Sequence, residues 1–118
     1  MRVINLTAHD ITLLDETGNV RKVFEPSGHV ARLVRTFDTY GYIEETEVDI
    51  EVLKPINVLD FDGACLEPYN LYIVSWLFLQ ALKEQNHPNL HQFVAPNTEG
   101  MQKDYKGAVK GVESFLVL

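Results

Sequence analysis

The sequence predicts an α+β fold in which a mostly antiparallel sheet, or a small open barrel, packs against one principal helix. Short runs of alternating apolar and polar residues, each bounded by turn formers, recur along the first half of the chain. One stretch, about residues 75–85, has the apolar content and the capping residue of a helix. The chain has 118 residues, 46% of them apolar, which is enough for one hydrophobic core. We therefore expect a single domain over residues 1–118.

The first third of the chain predicts a β-meander with strands in three runs, Val3–Leu6, Ile11–Leu14 and Val20–Phe24. Gly18 and Asn19 lie between the second and third runs and can adopt the positive φ of a tight hairpin. Pro26–Gly28 predicts a second turn. The following segment, Val30–Arg35, has apolar residues on both faces, which is typical of a central strand.

An acidic segment follows, in which Glu47–Leu53 alternates strictly between charged and apolar residues. This alternation predicts a strand with an acidic outer face. Carboxylates on a solvated face discourage edge pairing, and they lack the burial or the partner that tunes a carboxyl group for catalysis.

In the second half, Leu71–Val74 predicts a strand and Ser75 the N-cap of a helix from Trp76 to about Glu84. The first two turns of that helix are apolar, so we expect them to be mostly buried. Pro88 ends the helix. The remaining elements are predicted as a short strand, a loop and a final strand, at Phe93–Ala95, Pro96–Lys106 and Gly111–Leu118.

Composition and charge exclude several classes of partner. Ten Lys and Arg stand against 17 Asp and Glu, which gives a net charge of -7 and a field that repels nucleic acid. No apolar run has the length of a signal peptide or a membrane span, so no membrane partner is expected. The single Cys65 excludes a disulfide-framed secreted domain and indicates the cytoplasm. We expect Cys65 to be a buried structural thiol.

The most conspicuous motif is an apolar strand that ends in Asp60-Phe61-Asp62-Gly63. It is similar to the opening motif of haloacid-dehalogenase-type phosphotransferases, in which the first Asp is the nucleophile and both carboxylates hold magnesium. Ala64 stands where that family has Thr, and too few residues follow to build its larger fold. A strand ending in an acidic turn is therefore the preferred interpretation. A metal-dependent phosphohydrolase using Asp60 and Asp62 is the weaker alternative.

Other catalytic and metal signatures are missing from the sequence. His87 and His91 have the spacing of a helical metal pair, but Pro88 argues against a regular helix across them. Glycine-rich phosphate loops and nucleophile motifs do not occur. The sequence thus predicts no metal site, no cofactor and no catalytic residue, and it leans against an enzyme.

Three blocks together resemble a known family. They are Asn5–Ile11, Pro26–Arg32, and Leu71–Ser75 taken with Val94–Thr98. They resemble a family of small uncharacterised bacterial and bacteriophage proteins that open with Asn-Leu-Thr-Pro-His and carry Ser-Gly-x-Val-Ala-Arg. Ala8 stands where the family usually has Pro. The resemblance implies a soluble cytoplasmic protein from a phage or a phage-derived locus, and it implies no reaction.

The matching blocks are rich in polar side chains that do not help to form a core. If the first strand, the strand after Gly28 and the end of Leu71–Val74 lie side by side, these side chains meet at one end of the sheet. Together with a helix N-terminus they would suit a small phosphate- or nucleotide-like anion, with Arg32 as its ion-pair partner. The predicted ligand-binding residues are Asn5, Thr7, His9, Ser27, Arg32, Ser75, Asn97 and Thr98. Alternatively, these groups only make turn and cap hydrogen bonds.

A second hypothesis is a protein-interaction module whose acidic strand, Glu44–Glu51, mimics a polyanion or docks on a basic partner. Exposed edge strands would also allow a homodimer.

Overall fold

The computed structural model describes residues 1–35, 37–44, 48–53, 58–98, 102–103 and 109–118. One α-helix, α1 (Trp76–Glu84), and one 3₁₀ turn (Leu90–Gln92) occur within these residues. The strands are β1 (Val3–Asn5), β2 (Ile11–Leu14), β3 (Val20–Phe24), β4 (Arg32–Val34), β5 (Phe37–Ile43), β6 (Val48–Leu53), β7 (Val58–Asp60), β8 (Leu71–Ile73), β9 (Phe93–Pro96), β10 (Gln102–Lys103), β11 (Val109–Gly111) and β12 (Phe115–Leu116). The predicted α+β class, with mostly antiparallel strands and one principal helix, is confirmed. The described strands do not close into a barrel.

A four-stranded sheet in the order β1-β8-β9-β12 forms the centre of the fold. β8 is parallel to both β1 and β9, whereas β12 is antiparallel to β9. The register places Asn5 beside Ile73, and Ile73 beside Val94. The carboxyl ends of the three parallel strands therefore lie at one edge, which we call the carboxyl edge.

Helix α1 covers one face of this sheet. Phe78, Leu79 and Leu82 of the helix pack with Tyr72 and Phe93 in the buried core. Side chains alternate along a strand, so Ile73 and Val94 point to the opposite face, and they are buried as well. The central sheet is thus covered on both sides.

The start of α1 confirms the sequence prediction, because the Ser75 hydroxyl accepts a hydrogen bond from the Phe78 N–H at 3.2 Å. The expectation that the first two turns are mostly buried is confirmed at Phe78, Leu79, Ala81 and Leu82. Trp76 and Leu77 are the exceptions, with 41% and 67% exposure. The buried helix residues are spaced along a single face that lies on the sheet. Residues 76 and 77 fall outside that face despite their apolar character.

The hairpin between β2 and β3 also confirms its prediction, and Gly18 has a φ of 85°. A carboxylate organises the turn. Asp15 Oδ1 accepts hydrogen bonds from the Thr17 hydroxyl at 2.7 Å and from the N–H groups of Thr17 and Asn19 at 2.9 Å. These bonds, that of the Thr17 hydroxyl above all, hold the pKa of Asp15 below its ordinary value.

The prediction of a central strand over Val30–Arg35 is wrong. Ala31 donates its N–H to the Leu6 carbonyl at 2.8 Å, but the chain then leaves β1, and β4 pairs with β7 in a separate two-stranded ladder. Leu33 still packs on the core, whereas Val34 is 41% exposed. The segment has apolar residues on both faces, but only one of these faces is covered by the core.

The carboxyl-terminal segments differ in part from their predictions. The predicted loop Pro96–Lys106 contains β10, which pairs with β11; its residues 99–101 and 104–106 lie outside the described part. The predicted final strand is split into β11 and β12. β11 approaches β2 so closely that a Cβ on Gly111 would lie 2.8 Å from the Thr12 carbonyl oxygen, so glycine is required there.

Two nested ladders give the molecule an elongated shape. Between β4 and β7, which pair with each other, the chain forms the further antiparallel ladder β5–β6. We call residues 37–44 and 48–53 the arm. The radius of gyration is 18.1 Å and the extents are 61 × 40 × 24 Å, whereas a compact chain of this length has a radius of gyration of about 13.5 Å. Neither helical segment in the described residues is long and apolar enough to cross a bilayer.

Candidate functional sites

The carboxyl edge brings together several of the residues predicted from the sequence. Asn5 ends β1, Ser75 follows β8 by two residues, and Asn97 and Thr98 follow β9 directly. Ser27 joins this edge because its N–H donates to the Asn5 carbonyl at 3.0 Å. The predicted convergence of polar groups at one end of the sheet thus has a structural counterpart in the described residues.

Asn5 is the centre of this group and is only 1% exposed. Its Nδ2 donates to the carbonyls of His9 at 2.8 Å and Phe24 at 2.9 Å. Its Oδ1 accepts from the Thr7 N–H at 2.9 Å and the Thr7 hydroxyl at 2.6 Å. The Asn5 side chain therefore uses both donor hydrogens and accepts twice within the protein, and it ties β1 to the hairpin β2–β3.

The neighbouring polar groups also bond within the protein. The Ser27 hydroxyl lies 3.3 Å from the backbone nitrogen of His29, and Ser75 caps α1. The Asn97 amide donates to the Ser114 hydroxyl at 3.1 Å. The Ser27 and Ser75 contacts are the turn and cap hydrogen bonds of the alternative interpretation, and the Asn97 contact joins the end of β9 to the segment before β12.

The remaining three predicted residues are exposed. His9 contributes its carbonyl to Asn5 and Thr7, while its ring is at the surface. Thr98 follows the end of β9. Arg32 lies in β4, directly opposite Asp60 of β7, and therefore off the central sheet.

The Asp60-Phe61-Asp62-Gly63 motif forms a turn in which both carboxylates accept backbone hydrogen bonds. Asp60 Oδ1 accepts from the Asp62 N–H at 2.8 Å, and Asp62 Oδ2 from the Val30 N–H at 3.0 Å. Asp62 and Gly63 have φ values of 56° and 73°. Across the residues that the structure describes, no three His, Cys, Asp or Glu side chains are placed to hold a metal ion. The motif acts here as the acidic end of β7.

The two spaced histidines have different surroundings. The His87 ring lies 5.8 Å from the centroids of both Phe61 and Phe93. His91 is exposed on the 3₁₀ turn. His87 therefore packs against aromatic rings and His91 lies on the surface.

A cavity of about 210 Å³ lies where β1 and β8 meet the segment after β7, and the sequence prediction missed it. It is lined by Arg2, Ile4, Leu6, His29, Ala64, Cys65, Glu67, Asn70 and Tyr72. Cys65 is exposed, so its prediction as a buried thiol is wrong. No local pattern could reveal this cavity, because its lining comes from four separate parts of the chain.

The arm presents a different kind of surface. Paired residues in an antiparallel ladder share a face. Asp49 therefore lies beside Tyr42, and Glu51 beside Thr39, on one face. The other face carries Ile43, Val48 and Ile50, which are 48%, 53% and 43% exposed. The predicted strand with an acidic outer face is present over the described residues 48–53, but its apolar face is exposed.

An irregularity in the arm adds a further aromatic residue. The register shifts between Thr39 and Gly41, which leaves Tyr40 as an extra residue in β5. Tyr40 and Tyr42 are 77% and 61% exposed. The arm thus displays aromatic, aliphatic and acidic side chains together.

In comparisons with protein-family models, curated proteins and solved structures, no match to the chain was found. The carboxyl edge, the cavity and the arm are the features of the described residues that bear on function.

Proposed function

We propose that the chain is a non-enzymatic protein-interaction module whose arm binds a basic surface on a partner protein. The observation that supports this proposal is the exposed apolar face of a ladder whose opposite face is acidic. The proposal develops the sequence hypothesis for Glu44–Glu51; residues 45–47 of that segment lie outside the described part.

The apolar face supplies the affinity in this proposal. Strict alternation of apolar and charged residues is typical of a strand buried on one face. In the arm that face is not covered, and the tyrosines add exposed aromatic area. Covering such side chains gains about 25 cal/mol for each Å² of apolar surface, and aromatic residues are enriched at protein interfaces.

Charge selects the partner. The arm carries exposed carboxylates at Glu44, Asp49 and Glu51, on a chain with a net charge of -7. An acidic surface speeds association with a basic partner and repels acidic ones. A basic protein surface with apolar side chains among its charges is therefore the chemical complement of the arm.

The first test reverses charge on the arm. The variant Asp49→Lys/Glu51→Lys is compared with the matched control Glu16→Lys/Glu84→Lys, which makes the same change in net charge elsewhere on the surface. A partner is first isolated by co-purification with the parent chain, and its affinity for all three proteins is then measured by calorimetry. We expect the arm variant to bind at least tenfold more weakly and the control to bind as the parent does.

Salt provides the second measurement on the same partner. Because exposed charges are screened by salt, parent affinity should fall at least tenfold between low and high ionic strength. Equal affinity of the arm variant and the control would contradict the proposal, as would affinity independent of salt. A homodimer through the arm would instead appear as concentration-dependent sedimentation of the purified chain.

We further propose that the chain acts in the cytoplasm as an accessory protein of a phage or phage-derived locus. The free thiol of Cys65 is exposed, which fits a reducing compartment. The resemblance of three sequence blocks to bacterial and bacteriophage proteins supports the origin.

A second candidate function is binding of a small phosphate- or nucleotide-like anion at the carboxyl edge. In open sheets, ligands bind at the carboxyl ends of parallel strands, and here the N-terminus of α1 lies at the same edge. Arg32 would reach this edge from the segment that Ala31 ties to Leu6. This candidate rests on the meeting of three strand ends and one helix end.

Thermal denaturation with nucleotides, sugar phosphates and inorganic phosphate tests this second candidate, since a ligand of the native state raises the melting temperature. We expect one of these anions to stabilise the parent and the control Arg21→Ala, but not Arg32→Ala. A stabilisation that persists in Arg32→Ala would contradict the residue assignment, and the absence of any shift would exclude the site for these anions.

A further inference from the structure

The cavity beside β1 and β8 combines an apolar floor with a polar rim. Leu6 and Tyr72, each 1% exposed, form the floor together with the half-buried Ile4 and Ala64. Exposed side chains, among them Arg2, His29 and Glu67, form the rim. A ligand that fits this arrangement must be apolar at one end and polar at the other.

The rim carries one positive and one negative side chain, and these do not pair with each other. Within the described part of the chain, no ion pair joins the Arg2 guanidinium to the Glu67 carboxylate. Opposite charges that line one cavity without pairing can each bind a separate charge on a ligand.

Both charged residues are held by their main chains. Arg2 accepts a hydrogen bond from the Leu71 N–H at 2.8 Å, and its own N–H donates to Asn70 Oδ1 at 3.3 Å. The Glu67 N–H donates to the Tyr72 hydroxyl at 2.7 Å, and the Glu67 carbonyl accepts from the Gln92 amide at 2.9 Å. The backbone hydrogen bonds therefore fix the positions on the rim from which the Arg2 and Glu67 side chains extend.

His29 is oriented as well. Its Nδ1 lies 2.8 Å from the Asp62 carbonyl oxygen. Because a carbonyl only accepts hydrogen bonds, Nδ1 must carry the proton, which leaves Nε2 as the acceptor of the neutral ring. His29 therefore adds an acceptor to the rim, which suits a ligand that donates hydrogen bonds.

We propose that this cavity binds a small aliphatic α-amino acid in its zwitterionic form. The ligand carboxylate pairs with Arg2, its ammonium group bonds to Glu67 and to His29 Nε2, and its side chain lies on Leu6 and Tyr72. The cavity volume of about 210 Å³ equals that of roughly seven liquid waters. This volume is below that of pockets for drug-sized ligands, so an amino acid of leucine size suits it better than a nucleotide does. The proposal does not depend on the arm.

Titration with L-leucine, followed by amide signals in ¹⁵N-correlated NMR spectra, tests the proposal. Two analogues serve as ligand controls: 4-methylpentanoate lacks the ammonium group, and 3-methylbutylamine lacks the carboxylate. We expect leucine to shift the signals of Ile4, Leu6, Ala64 and Tyr72 saturably, and each analogue to bind at least tenfold more weakly.

Variants then test the two charges. Arg2→Gln and Glu67→Gln should each weaken leucine binding at least tenfold, while the distant controls Arg21→Gln and Glu84→Gln bind as the parent does. The same spectra report folding, because signals remote from the cavity must stay in place. Absence of a saturable shift with millimolar leucine would overturn the proposal. Binding of 4-methylpentanoate as tight as that of leucine would also overturn it, because the site would then recognise a simple anion.

Discussion

Asn5→Ala is expected to lower the free energy of unfolding by about 3 to 4 kcal/mol, because a buried polar group left without its partner costs about 1 to 3 kcal/mol. The substitution removes a side chain that is 1% exposed and makes four hydrogen bonds. It leaves the carbonyl of Phe24 and the N–H of Thr7 without their side-chain partner, and it leaves the His9 carbonyl with the Thr7 hydroxyl as its remaining side-chain partner.

Urea denaturation followed by Trp76 fluorescence measures this change. Asn89→Ala is the matched control, since the Asn89 side chain makes no cap hydrogen bond, and we expect it to change stability by less than about 0.5 kcal/mol. Thr7→Val removes only the hydroxyl that bonds to Asn5 and should cost about 1 kcal/mol. In a double-mutant cycle the two effects should not add, because both substitutions remove the same bond. A loss below about 1 kcal/mol for Asn5→Ala would show that water replaces these contacts.

The features that the sequence predicted well are local. Ser75 caps the start of α1, and Asn86, whose φ of 52° is left-handed, follows the C-cap Gln85, so a few neighbouring residues determine both ends of the helix. The turn at Gly18 is likewise determined within the hairpin that it closes. Such elements need no information from distant parts of the chain.

The features that the sequence could not predict are non-local. The parallel pairing of β1 with β8 joins Asn5 to Ile73 across most of the chain, and no local pattern specifies it. The alternation in β6 predicted a strand, but it could not show that Ile50 lies on an uncovered face. The hydrogen bond from Asn5 Nδ2 to the Phe24 carbonyl, which joins β1 to the hairpin, is likewise a contact that no local pattern specifies.

In the acidic motif at the end of β7, the carboxylates and the aromatic ring have different roles. The sequence motif drew attention to Asp60 and Asp62. In the structure the Asp60 carboxylate accepts from the Asp62 N–H within the turn, and the Asp62 carboxylate accepts from the Val30 N–H of another segment. Phe61, the residue between them, makes the aromatic contacts with the core. The Phe61 ring lies 5.3 Å from the ring of Phe78 and 5.9 Å from that of Phe93, so it connects β7 to both α1 and β9.

Phe61→Ala is therefore expected to destabilise the protein by about 3 kcal/mol, at the lower end of the range for Phe→Ala in cores because Phe61 is only half-buried. This loss of stability has two parts. The first is the buried apolar surface of the ring, which the variant lacks. The second is the edge-to-face contact with Phe78, because such aromatic pairs contribute about 0.5 to 1.5 kcal/mol beyond burial. Two controls separate ring packing from the chemistry of the motif. Tyr40→Ala removes an aromatic ring that is 77% exposed and should cost less than about 0.5 kcal/mol.

Asp60→Asn keeps an oxygen that can accept from the Asp62 N–H, so it should cost no more than about 1 kcal/mol in the same denaturation experiment. If Asp60→Asn proved more costly than Phe61→Ala, the carboxylate and not the ring would be the group that fixes this turn to the core. The expected order, with Phe61 first, would instead show that the motif fixes β7 to α1 and β9 mainly through the packing of its aromatic ring.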